Sequence, residues 1–350
     1  YLRIPNAFRL PTWLSRFDFV LDEKGHIRMV EINADTPCFI VESFYANGIA
    51  AEYHRRRDPN AGTQTQLRDF LTRIHNHLAA PVADLNRQTL THRPFVFSCF
   101  DDYPEDLATT RFLMEEMSKG APHGDIRFLS FYEMEIDDMG IPLIDNTYAS
   151  ALYRLHPMEI LIDERTPTGE PLGALFLDLY KNGTFAMMNP PEAILLQNKS
   201  FMALVYALAR TEQFLTPAEC ALVERCLVPS YFEDDFAALM DGTYIRKEIW
   251  GREGKNVRLV EKQGGHTETV HEKNPDNADD IICRESCAAM YQDFIRQPHF
   301  THTVDSGTIE GCLTLSCFML FDAPSAVGAR FSPSEIAGTE AYFLPLVTGS

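Results

Sequence analysis

The sequence predicts an α+β architecture in one unit, and three observations carry that expectation. Residues 16–33, RFDFVLDEKGHIRMVEIN, alternate polar and apolar on both sides of Asp22-Glu23-Lys24-Gly25, the pattern of a half-buried hairpin. The middle of the chain carries helical runs such as PEAILLQNKSFMALVYALA and TPAECALVERCL, the second opening on Thr216 as an N-cap. The last third holds strand-like segments between glycine turns: TYIRKEI, NVRLVEK, AAMYQDFI, TIEGCLTLSCFMLF and SAVGARF. No internal repeat or clean linker divides the 350 residues, so helices and sheets are expected to layer around one site.

Antiparallel pairing about Lys24–Gly25 sets Asp18 opposite Glu31 and Arg16 opposite Asn33. It gives Phe17, Phe19, Leu21, Val30 and Ile32 to a core face. Two opposed carboxylates repel, so something positive is expected between them. A divalent cation fits, because Asp18, Glu31 and Asn33 offer hard oxygen ligands of the kind magnesium takes beside phosphate. The other reading is a solvated face with one carboxylate paired to Arg16 and no metal.

A helix over 40–53 follows, with Arg55-Arg56-Arg57 at the negative end of its dipole. Next come a long amphipathic helix over 66–85, a strand at 94–100, and a helix with Pro104, Glu105 and Asp106 in its first turn. Strands are expected within DIRFLSFYEM, IPLIDNTYASALYRL and TFAMMNP, and a helix in GALFLDLYKNG. GGHTETVHEKNPDNADD is polar enough to predict a mobile loop, a candidate lid over residues 263–280.

A net charge of −19 excludes a broad basic groove, so no nucleic-acid partner is expected. No run approaches the roughly 20 apolar residues of a membrane span, so no membrane partner is expected either. The eight cysteines form no CxxC pair and no zinc spacing, which suits free thiols and a cytoplasmic location. His299 and His302 read as structural or surface residues. Without GxSxG or HExxH, nucleophilic and zinc hydrolases find no support.

GREGKNV at 251–257, between two strands, can close backbone N–H groups around phosphate, with Arg252 and Lys255 adding charge. Two-glycine hairpin turns are common, and alone the motif reads first as one of them. Lys199 lies in an apolar helical run, and Lys247 alternates with Ile245 and Ile249. A lysine on an inward face calls for an anionic partner such as phosphate, or for a snorkelling position at a core edge.

Together these pieces resemble the synthetase domain of the glutathionylspermidine synthase family of ATP-grasp ligases. The similarity rests on RFDFVLDEKGHIRMVEINADTP, on NK within LLQNKSFMALVYAL, and on YIRKEIWGREGKNVRLVE, in that order. Weaker echoes are ALYRLHPMEILIDE, AMYQDFI and VGARFSPSEI, while residues 55–145 match loosely. The resemblance implies an ATP-grasp α+β fold of antiparallel sheets with flanking helices. Residues 1–350 then form one synthetase unit, expected to lack an N-terminal segment, with 190–290 as a nucleotide-covering lobe. No hydrolase half is expected within it.

The same resemblance implies residue roles and substrates. Asp18, Glu31 and Asn33 match magnesium ligands, and Arg16 matches an arginine against the transferred phosphate and acyl group. Lys199 and Lys247 match lysines on the ATP phosphates. Arg252, Glu253 and Gly254 fall in the nucleotide-covering loop, Arg252 facing substrate. Gln292 falls beside adenine and Arg330 near the phosphates. Thr36, Glu105 and Asp106 fall at the substrate. ATP and Mg²⁺ are the implied cofactors, with a small acid such as a glutathione-like peptide and an amine such as a polyamine as partners. Oligomeric state stays open. Glu248 and Asp293 stand where the family usually has Pro and Gln, and they favour the alternative, a non-catalytic nucleotide- or metabolite-binding protein on the same fold.

Overall fold

The period-two stretch forms the expected hairpin, β1 (Leu14–Leu21) and β2 (Ile27–Asn33). The computed structural model describes residues 6, 8–78, 94–166, 168–211, 213–252, 254–273, 288–304, 307–338 and 340–349, and the backbone of 82–83 and 90–91. Arg16 pairs with Asn33 and Asp18 with Glu31, but Phe19 then pairs with Met29. Val30 is therefore the extra residue of a bulge, and the single register expected for the whole hairpin holds only on the Arg16–Asp18 side. On β1 the burial is also inverted, while Ile32 on β2 is buried as expected. Arg16, Asp18 and Val20 are buried, whereas Phe17, Phe19 and Leu21 are half-buried. Other elements close over the polar face: Ser316 and Arg330 reach Asp18, and Lys199 reaches Glu31.

A π-helical turn, Glu42–Ala46, leads into α1 (Asn47–Tyr53). The long helix α2 (Thr63–Leu78) is shorter than its predicted span, since Val82–Ala83 within that span form a strand. A two-residue hairpin, β3 (Val82–Ala83) with β4 (Leu90–Thr91), precedes β5 (Phe95–Ser98) and α3 (Pro104–Gly120). Next come β6 (Ile126–Phe128), β7 (Ala151–Arg154), α4 (Met158–Leu161), α5 (Leu172–Lys181) and β8 (Ala186–Met188).

The run predicted as one helix from Pro191 breaks into α6 (Ile194–Gln197) and α7 (Ser200–Thr211). Asn198 takes an extended ψ of 118° at the break, and its Oδ1 accepts a hydrogen bond from Ser200 N at 2.9 Å. Lys199 N meanwhile donates to Ile249 O at 3.0 Å. Then α8 (Pro217–Cys226) opens on Thr216 with a capping box to Glu219.

The strand-rich end comprises β9 (Ser230–Phe232), β10 (Gly242–Glu248), β11 (Val257–Gln263), β12 (His266–Lys273), β13 (Ala289–Asp293), β14 (Phe300–Val304), β15 (Gly307–Leu320), β16 (Ala323–Ser332) and β17 (Tyr342–Leu344). The polar segment read as a loop is thus partly a strand, β12, pairing with β11. Residues 274–287, the rest of that segment, lie outside the described residues.

Two large sheets are antiparallel, as expected. One runs β17-β16-β15-β1-β2, with β14 also on β15; the other runs β12-β11-β10-β13-β9. The third sheet, β6-β5-β7-β8, is parallel, which the expectation of antiparallel sheets did not include. Its strands are joined through α3 and through α4–α5, as parallel neighbours require. Helical layers bury both faces. Phe95 and Phe97 meet Leu67, Leu71, Leu113 and Met117 on one side; Val96 and Leu152 meet Phe176 and Leu179 on the other. Among the described residues, no helix is long and apolar enough to cross a membrane.

Candidate active site

A cleft of about 790 Å³ opens between the two antiparallel sheets, lined from β1–β2, from β10 and β13, and from the segments after β16. Asp18, Glu31, Asn33, Arg16 and Arg330 line it from the first sheet, and Lys247 and Gln292 from the second. Lys199, Thr36, Arg252, Gly254, Glu105 and Asp106 complete the set read from sequence, apart from Glu253, which lies outside the described residues.

Asp18 is the most heavily bonded group in the cleft. Arg16 grips it with two nitrogens, Nε to Oδ1 at 2.8 Å and Nη2 to Oδ2 at 2.9 Å. Arg330 Nη2 donates to Oδ2 at 2.9 Å, Ser316 Oγ to Oδ1 at 2.8 Å and Asn33 Nδ2 to Oδ2 at 3.2 Å. Burial pushes the carboxyl upward, but the two guanidiniums and the donated hydrogen bonds hold it at about 2. Arg16 also donates to Cys38 O at 2.8 Å, which ties β1 to the turn after β2.

Glu31 pairs with Lys199 Nζ. Its burial is offset by the Lys199 and Lys247 charges, which keep its carboxyl below the ordinary range. Lys247 Nζ donates to Val30 O at 3.0 Å, so the bulge residue turns its carbonyl to the lysine. Burial lowers the Lys247 ammonium to about 8, and the neighbouring Lys199 charge works in the same direction, against Glu31. The snorkelling reading of these lysines fails, since both heads point into the cleft and contact the hairpin. Asp18 is 1% exposed, so the hairpin face is not solvated at that residue, while the pairing of one carboxylate with Arg16 that the other reading expected is present. Two carboxylates and four cationic side chains therefore face one another across a few ångströms.

The glycine loop between β10 and β11 adds Arg252, whose Nη1 donates to Glu159 Oε1 at 2.9 Å and Nη2 to Thr36 Oγ1 at 3.3 Å. Gly254 has φ of +72°, and a Cβ there would lie 2.5 Å from Ala337 O, so glycine is required by conformation and by closeness. The Gln292 amide donates to Ser230 Oγ at 3.0 Å and Met202 Sδ at 3.8 Å. Glu105 and Asp106 stand in the first turn of α3, where its dipole favours carboxylates.

Sequence reasoning missed the residues that hold this arrangement. Asp35 receives Arg154 Nη2 at 2.6 Å, Arg154 Nη1 at 3.0 Å and Met158 N at 2.8 Å, all buried. Gln197 Oε1 accepts from Ala34 N at 2.9 Å and Asp35 N at 3.2 Å. Asn189 bonds the backbone of Trp13, Leu14, Ala34 and Asp35. A charged residue ending the apolar strand ALYR was the one available signal for Arg154, because a buried arginine needs a carboxylate. Its partner lies far away in sequence.

A family model described as glutathionylspermidine synthase preATP-grasp matches residues 7–348, which takes in both large sheets, the parallel sheet and every side chain of the cleft.

Proposed function

This chain belongs to the glutathionylspermidine synthase family, and we propose that it is an ATP-dependent carbon–nitrogen ligase that joins a carboxylic acid to an amine. One observation carries the reading: Asp18 and Glu31, opposed on β1 and β2, are met in one cleft by Arg16, Arg330, Lys199 and Lys247. That set of hard anionic ligands and cationic donors fits a metal-bound polyphosphate on charge and on donor type.

In the proposed reaction, a carboxylate oxygen of the acid attacks the terminal phosphorus of ATP. A new P–O bond forms, the bond to the bridging oxygen breaks, and ADP leaves. The amine nitrogen then attacks the acyl carbon of the resulting acyl phosphate. The C–N bond forms, the C–O bond to phosphate breaks, and the nitrogen loses a proton. Arg16 and Arg330 neutralise charge on the transferring phosphoryl, a positioning and electrostatic task. Lys199 and Lys247 hold the other phosphates, with Arg252, Glu253 and Gly254 covering them and Gln292 on the adenine side. Residues 190–290 form the covering lobe. Magnesium, held by Asp18, Glu31 and Asn33, would supply further neutralisation of the phosphate oxygens. Thr36, Glu105 and Asp106 face the substrates, for which a glutathione-like peptide and a polyamine are the family's pair.

The test is phosphate release from ATP and Mg²⁺ with small peptide acids against a panel of amines. The ligase reading requires release that depends on both an acid and an amine. Nucleotide binding with no product under any pair would instead favour the non-catalytic binding role, to which the Glu248 carboxylate in the cleft also points, or a substrate outside the panel.

A proton balance follows from Lys247. Burial lowers its ammonium to about 8 in the free protein, so part of the population lacks that proton in mildly alkaline buffer. A bound phosphate favours the charged form and raises the pKa. Binding of MgATP is therefore expected to take up a fraction of a proton at pH 8, and much less at pH 6, where Lys247 is already charged. Calorimetry in buffers of different ionisation enthalpy measures the uptake, and Lys247→Met is expected to abolish it.

A further inference from the structure

Away from the nucleotide-type contacts, the first antiparallel sheet gathers a second set of ligating groups at its β14 edge. The register Phe300↔Gly311 places His299, just before β14, beside Glu310 and Cys312. Those two, at i and i+2 on β15, share one face of the sheet. The register Cys312↔Ser332 brings in the segment after β16, which carries Glu335. A Cβ on Gly311 would lie 2.1 Å from Ser332 O, so the two strands approach as closely as backbone allows.

One ligand atom each from His299, Cys312 and Glu335 lies within 4.8 Å of the others. Zinc bonds of 2.0–2.3 Å in a tetrahedron set ligand atoms about 3.3–3.7 Å apart, so closing the set needs a movement of roughly 1 Å. The side chains that must move are the more exposed ones: His299 is 45% and Glu335 30% exposed, against 3% for Cys312. His299 turns Nε2 toward Glu335 at 3.9 Å and Nδ1 toward Glu310 at 3.8 Å. Drawn in to hydrogen-bond distance, Glu310 would give the carboxylate-on-second-nitrogen arrangement that orients a metal-bound histidine.

We infer that His299 Nε2, Cys312 Sγ and Glu335 form a binding site for a zinc-class divalent cation, with Glu310 orienting the imidazole. Charge supports the geometry. Among the described residues, no Lys or Arg side chain is within salt-bridge distance of Glu310 or Glu335, and the neighbour each shares is the His299 imidazole. Burial, with those two carboxylates beside it, pushes the Cys312 thiol up to about 11, and a bound cation reverses that by displacing the proton. The site also has a consequence for the cleft. Glu335 lines the cleft, and two residues on, Ala337 O is the atom that Gly254 packs against. A cation here fastens the rim on which the glycine loop rests. Cysteine spacing gave no zinc pattern because the three ligands come from separate segments that only the strand register unites.

The test is titration of the metal-free full chain with Co²⁺, read by the near-ultraviolet thiolate-to-cobalt charge-transfer band. Wild type is expected to show the band, to lose it on adding Zn²⁺, and to keep it in Cys38→Ser. Cys312→Ser is expected to abolish it, and Glu335→Gln to weaken Co²⁺ binding at least tenfold. Absence of the band in folded wild type overturns the site, as does its survival in Cys312→Ser. If Cys312→Ser does not fold, unchanged affinity in Glu335→Gln overturns it instead. Co²⁺ bound at Asp18 and Glu31 has oxygen ligands and gives no thiolate band, so this outcome is independent of the ligase reading.

Discussion

Asp18→Asn is expected to lower acid- and amine-dependent phosphate release on the order of 10³-fold, the scale set by losing one preorganised electrostatic group at a charge-developing centre. Asp18 sits where two demands meet. It neutralises Arg16 and Arg330, both within 2.9 Å, and it opposes Glu31 across the hairpin. The amide keeps the shape but removes the charge, leaving two guanidiniums facing each other in a buried space. Magnesium dependence is the telling readout, since the half-saturating Mg²⁺ concentration should rise as well as the rate fall. Glu31→Gln is the companion variant. Glu31 is the more exposed of the two carboxylates, so folding is less at risk, and the same rise in Mg²⁺ requirement is expected. Phosphate release within tenfold of wild type in both folded variants would remove the metal role from this hairpin.

The legible part of the site was the part whose chemistry is local. Asp18 and Glu31 stood out because alternation and a short turn bring two like charges opposite each other without any knowledge of the rest of the chain. Lys199 and Lys247 stood out because their sequence neighbours are apolar. The Val30 bulge was not legible, since it places a carbonyl against Lys247, more than two hundred residues away. Nor was β12, an exposed edge strand with the charged, polar composition that protects an edge from further pairing and that resembles a loop. The strands of the parallel sheet were expected but their parallel pairing was not, because strands of three or four residues are too short to show a period that tells one covered face from two. The helix break at Asn198 came from tertiary demand: Gln197 and the Lys199 backbone are both bonded to other segments.

The Asp35–Arg154 pair separates stability from positioning. Arg154 is fully buried and grips Asp35 with two nitrogens. Arg154→Met leaves that carboxylate buried and unpaired, and is expected to cost about 3–5 kcal/mol of unfolding free energy, read from the midpoint of a urea titration. Replacing both partners, Arg154→Met with Asp35→Leu, removes the buried charges together and is expected to recover most of that loss, because a desolvated pair often contributes little net stability. Activity should not follow. Asp35 Oδ2 also accepts from Met158 N at the start of α4, and the next residue, Glu159, holds Arg252 over Thr36. With leucine at 35 that amide has lost its acceptor, and Arg252 loses its fixed anchor. The double variant should therefore be near wild type in urea yet impaired in phosphate release. A double variant restored in both would reduce the pair to a structural role and leave the placement of Arg252 to Glu159 alone.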